Sequence, residues 1–177
     1  TLHQEINQAL GKGVKRTRIV SGLELNPAAG VRVKFLYPDE PARAVFKSGN
    51  DLSAVLRLNF KNVSFLFTGD ITAGVEEYLI NQQKTSQQLK ATIMKVPHHG
   101  SRSSSTADFL KTVNPALAVV SCGRRNIYGF PATEVVSRYK EQYIQLYRTD
   151  LDGAVEFKTD GQKLSWKTAR SKTNLGF

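Results

Sequence analysis

Apolar and polar residues alternate through Val31-Arg32-Val33-Lys34-Phe35 before Leu36, as in a strand with one face on a core, and Pro38 closes the run. Two more apolar runs, 54–58 and 63–67, flank Lys61-Asn62, which predicts an antiparallel hairpin. The pattern then changes period. Residues 72–82 predict a helix with Gly74 inside it, and 91–96 a short strand stopped by Pro97. Ser105, with Asp108 three residues on, has the form of a capping box and opens a predicted helix to Val113. Asn114-Pro115 breaks it, and 116–120 reads as a buried strand. Pro131 suits the first position of a helix running to about Gln142. Strands are predicted at 145–147, 154–157 and 163–167, with Asp160-Gly161 turning between the last two. Upstream of everything, 4–10 fits the end of a helix stopped by Gly11 and Gly13. Helices alternating with strands, with hairpins mixed in, predict an α/β (α+β) sandwich with sheet inside and helices outside.

Composition narrows the class. A chain of 177 residues that is 40% hydrophobic suits one domain, 1–177, with a sizeable core. No apolar run approaches the roughly 18 residues of a membrane span. The single cysteine, Cys122, excludes an intrachain disulfide framework and a Cys-rich zinc site, and reads as a small buried hydrophobe. The net charge of +10 favours a polyanionic partner, nucleic acid or an anionic lipid surface, although basic charge also serves solubility. Its basic residues cluster locally at 12–18 and 158–172, without a zinc-finger or similar motif. The polar start, Thr1-Leu2-His3-Gln4-Glu5, lacks a methionine and a signal peptide, so a piece of a longer polypeptide is expected.

Two predicted strand ends carry the candidate chemistry. Phe65-Leu66-Phe67-Thr68-Gly69-Asp70 ends in a carboxylate, and Val96-Pro97-His98-His99-Gly100-Ser101 ends in adjacent histidines. Loops at strand ends hold reactive groups on rigid backbone while leaving them open to solvent. A carboxylate and an imidazole converging at one sheet edge suit Zn²⁺, Mn²⁺ or Fe²⁺. Each motif alone also reads as an ordinary turn. The third histidine, His3, reads as surface.

Taken together, LFTGD, KVPHHGS, VVSCGRRNIYGFP and YRTDLDGAVEF, preceded by NDLSAVLRL, resemble in order and spacing the metallo-β-lactamase-like domain of ComEC-type competence proteins. The resemblance covers nearly the whole chain. It implies an αββα fold whose N-terminal portion lies upstream of this chain. It also implies two divalent metal ions (Mn²⁺ or Zn²⁺) and hydrolysis of DNA, with degradation of the non-transforming strand. Asp70 matches the bridging metal carboxylate, and His98 or His99 the late metal-binding histidine, with a lean to His99. Ser101 matches a position for a phosphate hydrogen bond, beside loop-structure and helix-capping readings. Lys95, Arg102, Arg124, Arg125 and Asn126 are candidates for holding DNA, as is Arg148. Asp150 and Asp152 read as a turn, and Asn50 and Ser53 stand near the metals by family position.

Two departures stand out. The family's His-x-Asp-x-Asp-His motif does not occur ahead of Val31, so weak or no activity is expected of these residues alone. Phe130 stands where many relatives have His, a position where an aromatic ring could stack on a base. The implied partners are DNA, a membrane-channel portion of the same polypeptide and a second copy completing the fold. The implied location is the extracytoplasmic face of the bacterial inner membrane. A freestanding hydrolase of a small substrate and a non-catalytic DNA-binding domain are the competing readings.

Overall fold

The computed structural model describes residues 2–13, 16–170 and 174–175. After helix α1 (Leu2–Gly11), strands β1 (Glu24–Ala28), β2 (Val31–Tyr37), β3 (Val55–Phe60) and β4 (Val63–Phe67) form an antiparallel meander, with α2 (Glu40–Val45) between β2 and β3. Strands β5 (Ile93–Lys95), β6 (Leu117–Val120) and β7 (Gln145–Arg148) then add in parallel to β4, giving one seven-stranded sheet in sequence order. Helices α3 (Ala73–Asn81), the short α4 (Gln83–Ser86), α5 (Ala107–Val113) and α6 (Thr133–Glu141) occupy the parallel crossovers. A one-turn α7 (Thr149–Asp152) leads to a small antiparallel sheet of β8 (Val155–Thr159), β9 (Leu164–Thr168) and β10 (Asn174–Leu175).

Side-chain alternation gives the large sheet two apolar faces. Leu66, Met94 and Ala118 sit in register across β4, β5 and β6 and pack on Val75, Leu79, Phe109, Leu110, Val135 and Tyr139 of the helices. Their neighbours Phe65, Ile93 and Leu117 point to the opposite face, against Leu164 and Trp166 of β9 and Val155 and Phe157 of β8. The Trp166 indole, buried there, donates to the Tyr147 hydroxyl at 2.6 Å. The α/β sandwich expected from the sequence is thus present, with helices on one face and the small sheet on the other. On that second face Leu25 of β1 and Phe67 at the end of β4 are left exposed.

Several local expectations need correcting. The cap of α5 is Thr106, whose hydroxyl accepts from Phe109 N, and not Ser105, which is buried with φ 59°. Pro131 precedes α6 by two residues, because the N-cap is Ala132. The 160–163 turn spans four residues, with the Asp160 carboxylate accepting from Gln162 N and Lys163 N. Strand β1 and helix α2 were not foreseen: β1 is exposed along its whole length, and Pro41 stands in the first turn of α2. The backbone of His3 lies in α1, while its side chain falls outside the described residues.

Arg148 is committed inside the fold. Its guanidinium donates to both oxygens of the buried Asp150 carboxylate, at 3.2 and 2.7 Å, and its backbone N–H donates to Asp152 Oδ2 at 2.7 Å. The Arg148 hydrogen bonds hold the Asp150 carboxyl below the ordinary range. A depressed folded-state value gives stability that is complete above the ordinary carboxylate pKa, about 3.9, and is lost as pH falls through the folded-state value. The stability gap between wild type and Asp150→Asn in urea denaturation should therefore shrink as pH drops below about 4. A gap of equal size at neutral and strongly acid pH would contradict this.

Candidate metal centre

The C-terminal ends of the parallel strands meet at one edge of the sheet, the place where open α/β sheets gather functional groups. β4 runs into Thr68-Gly69-Asp70, β5 into Val96-Pro97-His98-His99, and β6 into Ser121-Cys122-Gly123. Thr68 Oγ1 donates to Lys95 O at 2.8 Å and joins the first two ends. His98 N donates to Gly69 O at 3.2 Å. Gly69 has φ +57°, and a Cβ there would lie 2.6 Å from Ser53 Cβ, so the Thr-Gly-Asp turn requires glycine. Ser53 thus lies beneath this turn, and Asn50 of the same loop reaches His98 Nε2 at 3.3 Å. Asp51 braces that loop by accepting from Ser48 Oγ and Thr72 Oγ1 at 2.7 and 2.6 Å.

After Pro97 the backbone makes a left-handed turn. His98, His99 and Gly100 have φ of 48°, 54° and 79°. Non-glycine residues in this region cost about 1–3 kcal/mol each and persist where surrounding structure holds them. Here Ala132 N donates to Gly100 O at 2.9 Å, and a Cβ at Gly100 would stand 2.5 Å from Pro131 Cβ. The strain throws both imidazoles toward one cleft of about 580 Å³, lined by Asn50, Asp70, both histidines, Cys122 and Phe130 among others.

The two rings are placed differently. His99 Nδ1 lies 2.6 Å from the Ser121 carbonyl, so it carries the proton there and leaves Nε2 as a lone pair. That Nε2 stands 3.5 Å from Asp70 Oδ1. Two ligand atoms about 2.0–2.2 Å from one tetrahedral ion lie roughly 3.3–3.5 Å apart, so this pair fits a shared ion. His98 Nδ1 is buried with no hydrogen-bond partner among the described residues. The Asn50 amide nitrogen can only donate, so His98 Nε2 accepts from it, and its lone pair is engaged there while that of His99 faces Asp70. The fit to a metal is partial, because the described residues contain no group of three His, Cys, Asp or Glu able to hold an ion.

The remaining candidates divide. Lys95 points inward: its ammonium donates to Gly69 O at 3.1 Å and Val96 O at 3.3 Å and lies 3.7 Å from Asp70 Oδ1. Burial lowers its pKa, with Asp70 pulling the other way. Lys95 therefore supports the Asp70 turn instead of reaching outward. Ser101 is buried, with its Oγ 3.0 Å from Ser103 Oγ. Arg102 is exposed beside Glu134 at 3.6 Å, a contact worth little in water. Arg124 and Arg125 are exposed on the loop after β6. Asn126 braces that loop, donating to Gly123 O and Phe130 O at 2.8 Å and accepting from Phe130 N at 2.7 Å. Cys122 is half-buried and not a fully buried hydrophobe: its Sγ donates to Asp150 Oδ1 at 3.2 Å, and burial plus that carboxylate push its pKa up to about 11. The sequence reading missed the Ser121 carbonyl, a backbone group that no residue type announces, and the inward turn of Lys95.

Competence protein ComA of Neisseria gonorrhoeae is 38% identical over 128 residues, covering 72% of this chain and 18% of ComA. ComE operon protein 3 of Bacillus subtilis (strain 168) is 31% identical over 123 residues, covering 70% of this chain and 15% of that protein. The chain belongs to this competence-protein family. The uncharacterized protein YcaI of Escherichia coli (strain K12) is 34% identical over 127 residues, 71% of this chain and 17% of YcaI. The competence-family chain therefore spans less than a fifth of the length of these relatives. No family model matches it. A solved candidate metal-dependent hydrolase from Parabacteroides distasonis superimposes at a TM-score of 0.47 with 15% identity, over 82% of this chain and 61% of that one, too distant a likeness to bear on the site.

Proposed function

We propose that residues 1–177 are the C-terminal part of a metal-dependent phosphodiester hydrolase domain that degrades the non-transforming DNA strand during uptake. The observation that carries this reading is the convergence of His99 Nε2 and Asp70 Oδ1 at 3.5 Å, with the other imidazole nitrogen locked on a backbone carbonyl. Ligating histidines are characteristically oriented in that way. Asp70 and His99 would hold the ion, Mn²⁺ or Zn²⁺. The further ligands, and a second ion, require residues beyond the described ones. A bound divalent ion supplies Lewis-acid charge at the phosphate and lowers the pKa of water. His98, held through Nε2 by the Asn50 amide, lines the cleft beside this pair without holding the ion. Arg124 and Arg125 hold flanking phosphates, since such contacts come mainly from Arg and Lys. Lys95 fixes the Asp70 turn.

The competence relatives and their greater length support a larger parent protein; a membrane channel in that polypeptide, with this domain on its extracytoplasmic face, belongs to the proposal. The exposed Leu25 and Phe67 give that polypeptide, or a second copy, an apolar face to cover. The partial ligand set favours one competing reading, a domain that binds DNA without cutting it.

Cleavage of labelled DNA decides between them. It should be followed in Mn²⁺ and in chelator, on this chain and on a polypeptide extended upstream. The proposal expects cleavage by the extended form that chelator and Asp70→Ala both abolish. DNA binding that survives both treatments, with no cleavage by either form, would establish the non-catalytic reading.

A further inference from the structure

The loop between β6 and α6 carries aromatic side chains that the mechanism above leaves unused. The Tyr128 and Phe130 rings are stacked, with centroids 5.5 Å apart and planes at 20°. Phe130 in turn meets His98 edge-on at 6.0 Å. Tyr128 and Phe130 line the same cleft as Asp70 and His99, yet Tyr128 remains 72% exposed. Core packing does not account for a ring so exposed. Its neighbour Ile127, at 90% exposure, extends the apolar tip. The three Asn126 hydrogen bonds hold the loop in one shape, so the rings are presented ready-made. Arg124 and Arg125 stand on the same loop, and neither makes an ion pair among the described residues.

We infer that Tyr128, backed by Phe130, is a stacking platform for one unpaired base, and that the substrate is a single strand or frayed end in preference to intact duplex. This rests on the DNA reading of the preceding subsection. Bases inside a duplex have both faces occupied by their neighbours, so only an unstacked base offers a face to a protein ring. Stacking platforms combine such rings with cations that follow the backbone, and each stacked base adds roughly 10-fold to 100-fold in affinity. On this loop the rings share one cleft with the candidate ligands. A base held on Tyr128 places its neighbouring phosphate toward His98, while the two arginines remain for the strand beyond.

The test is fluorescence anisotropy in chelator, so that binding is read without cleavage. The probes are a thymidine oligonucleotide, an abasic strand of equal length and a blunt duplex of the same length. Wild type should bind the oligonucleotide most tightly. Tyr128→Ala should weaken that binding about 10-fold or more with little effect on the abasic strand, and Tyr128→Phe should retain it. Arg124→Ala with Arg125→Ala should weaken all three probes and flatten the salt dependence. Thermal melts check that each variant is folded, which the exposure of residue 128 favours. Equal losses of base-containing and abasic strands in Tyr128→Ala, or duplex held as tightly as single strand, would overturn the stacking platform and leave DNA as a substrate. Failure of wild type to bind any of the three would instead overturn the DNA reading itself.

Discussion

Glu76→Ala is expected to lower stability by about 3 kcal/mol or more, because it strips acceptors from two backbone N–H groups in the interior. Glu76 is fully buried in α3, and its carboxylate accepts from Ser105 N at 2.5 Å and Thr106 N at 2.8 Å. Those donors open α5, and Ser105 is held there in the left-handed region. Arg138 of α6 donates to the Ser104 and Ser105 carbonyls at 2.8 and 3.1 Å, while the Tyr139 hydroxyl lies 3.2 Å from Ser105 Oγ. The carboxylate therefore ties α3 to the start of α5, and Arg138 and Tyr139 tie α6 to the same residues. Burial raises its pKa above the ordinary glutamate range, against the pull of its backbone donors. With a raised folded-state value, the associated stability is complete below the unfolded pKa and is lost as pH rises through the folded one. Glu76→Gln keeps one acceptor and should recover part of the loss without that pH dependence. Urea denaturation across pH reads both effects. A cost under 1 kcal/mol for the alanine variant would contradict the clamp.

The second large effect concerns the adjacent histidines, which the geometry assigns unequal parts. In the extended, cleaving polypeptide, His99→Ala should lower activity by at least about 100-fold and move the Mn²⁺ activation curve to higher concentration, as loss of an ion's ligand does. His98→Ala, which removes a ring held by the Asn50 amide and no ligand of the ion, should cost about 10-fold or less, with the Mn²⁺ curve in place. Rates measured against Mn²⁺ concentration separate the two. A shifted curve for His98→Ala with an unshifted one for His99→Ala would reverse the assignment.

Much of the fold was legible because its core strands are apolar and bounded by clear breakers. The 54–58 and 63–67 runs with Lys61-Asn62 gave the β3–β4 hairpin, and Pro97 marked the end of β5. Strand β1 stayed hidden because its ELNPA sequence is exposed throughout and contains a proline. The capping-box reading failed because the buried Glu76, 29 residues before Ser105, takes the N–H groups that a local cap would have served. At the site, residue type pointed to Asp70 and the histidine pair. The distinction between His98 and His99 rests on a backbone carbonyl and on left-handed backbone angles, neither of which residue types encode. Charge alone grouped Lys95 and Arg148 with the exposed arginines; in the fold Lys95 turns inward to the Asp70 turn and Arg148 pairs with Asp150.

The most direct test of the shared ion is Mn²⁺ binding followed by electron paramagnetic resonance in the extended polypeptide. Wild type, Asp70→Ala, His99→Ala and His98→Ala should be compared. The geometry predicts that Asp70→Ala and His99→Ala each release the ion while His98→Ala keeps it. Retention of the ion by Asp70→Ala or His99→Ala would contradict a centre built on that pair.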